Sequence, residues 1–156
     1  MNRKIFIVII CILLLLTTGC TKKINQNDDI KRLYLTDRYY NKGNFIQVSN
    51  DDLSKLDDET YVLFTYNNYC TLPISCENIF KEFMEKYKID FLSITFEDYK
   101  NTKFYDVVKY APSILIISKG DVIAYLDANS DDDLDKYQDV DSFEQWLNNY
   151  IYFNEK

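Results

Sequence analysis

The chain has 156 residues, 25 of them acidic and 18 basic, and carries a formal net charge of −7 with no histidine. The acidic balance argues against nucleic acid as a partner and against electrostatic attachment to anionic lipid. The lack of histidine excludes a Ser-His-Asp hydrolase and a His-ligated zinc site, and no cofactor is expected.

The chain starts with a short basic stretch, Asn2, Arg3 and Lys4, followed by an unbroken apolar run of twelve residues from Ile5 to Leu16. A bilayer span needs roughly 20 residues, so the run fits the apolar core of a signal peptide instead. Thr17-Thr18-Gly19-Cys20 follows at once. This resembles the lipobox of bacterial lipoproteins. The resemblance implies that residues 1–19 are a signal peptide and that Cys20 becomes the lipidated first residue of the mature chain. Its two acyl chains, palmitate among them, would hold the protein to the extracytoplasmic face of the cell membrane. The alternative is an uncleaved hydrophobic anchor or a buried helix. Loss of Arg3 and Lys4 with the leader leaves 16 basic against 25 acidic side chains, a net charge of −9. Of the four cysteines, Cys11 leaves with the leader and Cys20 takes lipid. Cys70 and Cys76 remain, in a compartment where disulfides persist.

Residues 20–43 read as the lipidated cysteine and a tether: 21–30 are polar and unpatterned, and 31–43 carry Leu33, Tyr34, Leu35, Tyr39 and Tyr40 without a clear period. From residue 44 to 156 the pattern is that of one domain. Phe45 to Val48 predicts a short strand, and Ser49 caps a helix carrying Leu53 and Leu56. Tyr61 to Tyr66 reads as a buried strand. Ser75 opens a helix with Ile79, Phe80, Phe83, Met84 and Tyr87 on one face. Phe91 to Phe96 is the next strand, and a short helix is expected near 102–109. Ser113 to Ser118 and Val122 to Asp127 form a hairpin across Lys119-Gly120. The run Asp131-Asp132-Asp133 with Asp135 lacks the glycine-bearing loop and placed glutamate of a calcium site and reads as a solvated connection. The last helix opens at Ser142 with a capping box and buries Phe143, Trp146, Leu147, Tyr150 and Ile151. The many tyrosines read as half-buried core and rim rather than as a carbohydrate or peptide surface.

The order β-α-β-α-β-α-β-β-α predicts an α/β fold with a central mixed sheet flanked by helices. That order resembles the thioredoxin fold. Two segments carry the resemblance further. In Phe64-Thr65-Tyr66-Asn67-Asn68-Tyr69-Cys70 a buried strand runs out into an aromatic residue and a cysteine. Tyr110-Ala111-Pro112-Ser113-Ile114 is similar to the family's cis-proline segment. The resemblance covers about residues 44–152. It implies thiol–disulfide exchange at Cys70 and Cys76, with Tyr69, Ala111 and Pro112 lining the substrate groove. The partners it implies are thiols or disulfides of exported proteins, or a peptide.

The chain departs from the family in two respects. Five residues separate Cys70 from Cys76, where the family has Cys-x-x-Cys. The strand Val62-Leu63-Phe64-Thr65 also lacks the buried acid that many thioredoxins carry there. In one continuous helix Cys70 and Cys76 would stand about 9 Å apart along the axis, too far for a disulfide. Pro73 disfavours helical geometry at Leu72. With 71–74 as a loop and the helix starting near Ser75, a Cys70–Cys76 disulfide is expected. Three readings stay open: a redox pair, a structural staple in a non-catalytic binding module, or unpaired thiols. Cys70 is the attacking thiol by analogy, although Cys76 in the first helical turn would also be favoured as thiolate.

Overall fold

The computed structural model describes residues 31–67 and 75–154. Five strands form one sheet: β1 Phe45–Gln47, β2 Thr60–Tyr66, β3 Phe91–Thr95, β4 Ser113–Ser118 and β5 Asp121–Asp127. Their spatial order is β1-β3-β2-β4-β5, with β1, β2 and β3 parallel and β4 and β5 antiparallel. The helices are α1 Asn50–Leu53, α2 Cys76–Tyr87, α3 Phe96–Tyr99 and α4 Val140–Asn148. This is the expected mixed α/β arrangement, and the parallel strands are those joined through helices.

Alternation along the strands decides which helix meets which face. Phe45, Phe64 and Phe91 point to one side, where the rings of Phe64 and Phe80 lie 5.3 Å apart and those of Phe83 and Phe91 6.0 Å. α2 and α4 cover that side, joined by Phe143, which lies 4.8 Å from Phe80 and 5.2 Å from Phe83. Ile46, Val48 and Leu92 face the other side, where Leu56 follows α1. The β4–β5 hairpin turns through Lys119 at φ 51° and Gly120 at φ 78°. Two residues in the left-handed region match the twist of the strands they join.

Three connections differ from the sequence reading. The segment after β3 is not a helix over 102–109. α3 starts directly at Phe96, because Thr95 Oγ1 accepts from the Asp98 amide, and a 3-10 turn over Lys103–Asp106 follows. The N-cap of α4 is Asp139, three residues before the expected Ser142, since the Asp139 carboxylate takes the Ser142 amide at 2.7 Å and caps the helix earlier. Trp146 is half-buried at the rim rather than in the core, its ring 6.0 Å from Phe143 and 5.5 Å from Tyr150. The acidic run winds into a 3-10 helix, Asp131–Tyr137, where Lys136 pairs with Asp135 at 2.8 Å. Among the described residues no cluster of His, Cys, Asp or Glu is placed to hold a metal ion, and no helix is long and apolar enough to cross a membrane.

Residues 31–43, assigned to the tether by sequence, pack on the domain. Leu35 and Tyr39 are buried. Leu33 bridges Ile151, and Tyr40 bridges Ile89. The Tyr39 hydroxyl sits between Arg38 at 2.7 Å and Glu59 at 2.8 Å, and burial pushes this phenol up to about 12. Gly43 has φ 80°, and a Cβ there would collide with the Met84 carbonyl, so only glycine lets this turn lie against the end of α2. Backbone and side-chain bonds to the rest of the fold thus begin at Arg32 and Leu33 among the described residues.

Candidate functional site

β2 is buried along most of its length and ends at the edge of the sheet where all three parallel strands have their carboxyl ends. Open α/β sheets place ligand sites at that edge. α2 starts on this side of the molecule. Ser75 occupies its N-cap position in extended geometry, and Cys76 is its first residue. Cys76 is 3 % exposed and belongs to the core cluster. Tyr69 and Cys70 lie outside the described residues, as does Cys20, and so does the expected Cys70–Cys76 pairing. Where the family resemblance leads one to look for a buried acid, Phe64 and Thr65 are both buried, and Thr65 Oγ1 has no hydrogen-bond partner among the described residues.

The second expected segment is at the same edge. The Ala111–Pro112 peptide bond is cis, and β4 begins at the next residue, Ser113. The last β2–β4 pair is Thr65 with Ser113. Beyond it, Asn67 Nδ2 donates to the Ala111 carbonyl at 2.9 Å. Ser113 Oγ donates to the Tyr110 carbonyl at 2.8 Å. From the acidic 3-10 helix comes Tyr137, whose hydroxyl donates to the Leu126 carbonyl at 2.8 Å and reaches the Pro112 carbonyl at 3.3 Å. Burial pushes the Tyr137 phenol well above its ordinary range, and the nearby Cys76 and Asp133 add to the rise against an opposing bond from Ser113. Tyr137 thus stays a donor and ties the proline segment to the neighbourhood of Cys76.

On the other flank of the first turn of α2 is a cleft of about 250 Å³ lined by Phe45, Gln47, Phe64, Tyr66, Glu77 and Ser93. Its floor is aromatic. Gln47 Oε1 accepts from the Tyr66 hydroxyl at 3.1 Å and from Ser93 at 3.2 Å, which fixes its polar wall. A larger groove of about 510 Å³ runs along β1 on the opposite face of the sheet, over Ile46, Val48 and Leu92, and is remote from this chemistry.

Of the residues named from sequence, the described structure thus brings Cys76, Ala111 and Pro112 to one edge of the sheet. Asn67, Tyr137 and the Gln47–Tyr66 wall were not anticipated. The only sequence signal for Asn67 was the strand register: once Thr65 is known to face Ser113, Asn67 must face Ala111. Nothing in the acidic run marked Tyr137 as a neighbour of Pro112.

No protein-family profile matches the chain, and neither does any curated protein. Solved structures do. A thioredoxin of Schistosoma mansoni superposes with a TM-score of 0.50 at 18 % identity, covering 71 % of this chain and 99 % of its own. A thioredoxin of Entamoeba histolytica gives a TM-score of 0.46 at 15 % identity over 60 % of this chain and 96 % of its own. The oxidised thioredoxin of Plasmodium falciparum gives 0.46 at 12 % identity over 67 % of this chain and 97 % of its own. The strand order, the antiparallel β4–β5 edge, the helix on each face and the likeness to the Schistosoma structure agree on one architecture: the chain has a thioredoxin-like α/β fold.

Proposed function

We propose that this protein exchanges thiols and disulfides with exported proteins through Cys70 and Cys76, at the outer face of a membrane to which lipid on Cys20 holds it. The observation that carries the reading is the meeting of Cys76, first residue of α2, and cis Ala111–Pro112 at one edge of the sheet. The roles divide by access. A thiol that is 3 % exposed cannot be reached by a protein disulfide, so Cys70 is the attacking sulfur and Cys76 the resolving one. The Cys70 thiolate attacks one sulfur of the substrate disulfide, and the other leaves as a thiolate. Cys76 then attacks Cys70 in the mixed disulfide, releases the second substrate thiol, and leaves the protein with a Cys70–Cys76 disulfide. Two electrons have passed to the substrate, and the reverse sequence oxidises it.

The burial of Cys76 also favours a second reading, a binding module in which the same disulfide is a staple. Reduction potential separates the two: a structural bridge sits below about −300 mV and an exchanging pair above it. The functional test is trapping in cells. Cys76→Ser should accumulate mixed disulfides with exported proteins through Cys70, and Cys70→Ser should accumulate few. If neither variant captures a partner, the exchange reading is wrong. For the anchor, labelled palmitate should enter the wild-type chain and not Cys20→Ala; equal labelling of both would rule out lipid on Cys20.

A further inference from the structure

The cleft beside the first turn of α2 has a floor and a lip of different chemistry. Strand pairing puts Phe45, Gln47, Phe64, Tyr66 and Ser93 on one face of the sheet. Gln47 and Tyr66 are the last residues of β1 and β2, so the cleft opens where these strands end. The buried Phe64 ring lies 5.4 Å from Phe45 and 5.8 Å from Tyr66, the second pair stacked at 28°. Three rings thus form one continuous aromatic surface. The Tyr66 hydroxyl spends its proton on Gln47 and keeps its lone pairs as acceptors.

Glu77, the second residue of α2, is the only charged side chain among the described residues that line the cleft. It is exposed, and no ion pair among the described residues includes it, not even with Lys81 one turn on. An anionic guest would meet this carboxylate, whose full charge outweighs the partial charge of about +0.5 at the start of a helix. A neutral apolar guest would cover the rings but desolvate the carboxylate without pairing it, which is costly. A cation suits both parts: it is drawn to the ring faces and gives the carboxylate a partner. A guanidinium suits them best, because it is flat enough to stack on a ring and its fork matches a carboxylate. The cleft of about 250 Å³ falls below the roughly 300–1,000 Å³ of pockets that enclose drug-sized ligands, and it admits one long side chain. The net charge of −7 adds a general attraction for basic chains.

We propose that this cleft is a specificity pocket for a basic side chain, arginine above lysine, on a polypeptide substrate. That the guest belongs to a substrate rests on the exchange reading above. Glu77 directly follows Cys76, so the pocket and the buried cysteine share one turn of α2. A substrate with an arginine close to its reacting cysteine lays the methylene stem on Phe45 and Phe64, sets the guanidinium over Tyr66 and pairs it with Glu77. The pocket chooses among substrates by what flanks the cysteine and takes no part in the thiol chemistry.

Binding is read without thiol chemistry, by nuclear magnetic resonance titration of the full chain in detergent micelles. The probe is N-acetylarginine N-methylamide, and its control is the citrulline analogue, nearly the same shape without the charge. The arginine probe should shift the Gln47 side-chain amide and the Ser93 backbone amide, and bind about five- to tenfold more tightly than the control. Glu77→Gln and Tyr66→Leu should each remove most of that preference. Equal binding of the two probes, no shift at those resonances, or a preference unchanged in either variant overturns the pocket. Exchange gives a separate readout, with two disulfide peptides that differ only in arginine or citrulline beside the cysteine. The arginine peptide should react about five- to tenfold faster, and equal rates would overturn the role in substrate choice. No exchange with either peptide, with the arginine preference in binding intact, would sink the exchange reading and leave the pocket standing.

Discussion

Replacing Phe83 by alanine should cost the folded state about 4 kcal/mol, within the range seen when a fully buried phenylalanine is truncated. Phe83 is 0 % exposed. Its ring lies 4.9 Å from Tyr87, 5.2 Å from Phe143, 5.1 Å from Phe153 and 6.0 Å from Phe91, so one side chain joins α2, β3, α4 and the carboxyl-terminal residues. None of these neighbours can collapse into the vacancy without leaving another, so the cavity term should be near its full size. Urea denaturation with an unchanged slope would read the loss as a lower midpoint. A loss under about 1 kcal/mol would mean that the aromatic cluster is loosely packed.

The second large effect is expected at Asp90. This carboxylate is 2 % exposed and accepts from the amides of Gly43 at 2.9 Å, Asn44 at 2.7 Å and Lys42 at 3.3 Å, and from Asn41 Nδ2 at 3.0 Å. Backbone bonds from Asp90 N to the Tyr39 carbonyl and from Asn41 N to the Lys88 carbonyl lace the same two segments together. Asp90→Ala removes the acceptor and strands these donors, which should cost about 3 kcal/mol. Asp90→Asn keeps one carbonyl oxygen and should lose less. Hydrogen exchange gives the sharper readout: the amides of Gly43 and Asn44 should lose protection while those of β2 keep theirs. Equal loss in both places would mean that Asp90 supports the whole fold rather than this turn.

These two residues also show what could be read from the chain and what could not. Phe83 belongs to the set Ile79, Phe80, Phe83, Met84 and Tyr87, whose spacing by itself marks one face of a helix. β2 and β4 were legible as apolar runs, and the cis-proline segment by its likeness to a family pattern. Asp90 was not legible. It looks like any acid between a helix and a strand, and its role depends on residues nearly fifty positions earlier. The same holds for 31–43, whose buried side chains follow no period because an irregular segment is fixed by backbone bonds to several distant elements. Helix starts failed where two caps compete: Asp139 and Ser142 are both good N-caps, and the earlier one prevails. At the site, Pro112 and Cys76 were visible by residue type. Asn67 and Tyr137 were not, since their function is to hold carbonyls, and any of several polar side chains can do that.

The bridge between Leu33 and Ile151 gives the molecule a polarity. Cys76 opens α2, and Tyr87 closes it 11 residues later, about 17 Å away along the axis. Tyr137 stands near the Cys76 end, whereas Phe153 packs on Phe83 and Tyr87 near the other. Leu33 donates its amide to Tyr150 and accepts from Tyr152, so the chain enters the domain at that far pole and leaves it there too. The approach to Cys76 and Pro112 therefore lies at the pole away from both Leu33 and Ile151. A label or fusion attached beyond Phe153 would sit at that far pole and leave the approach to Cys76 and Pro112 clear.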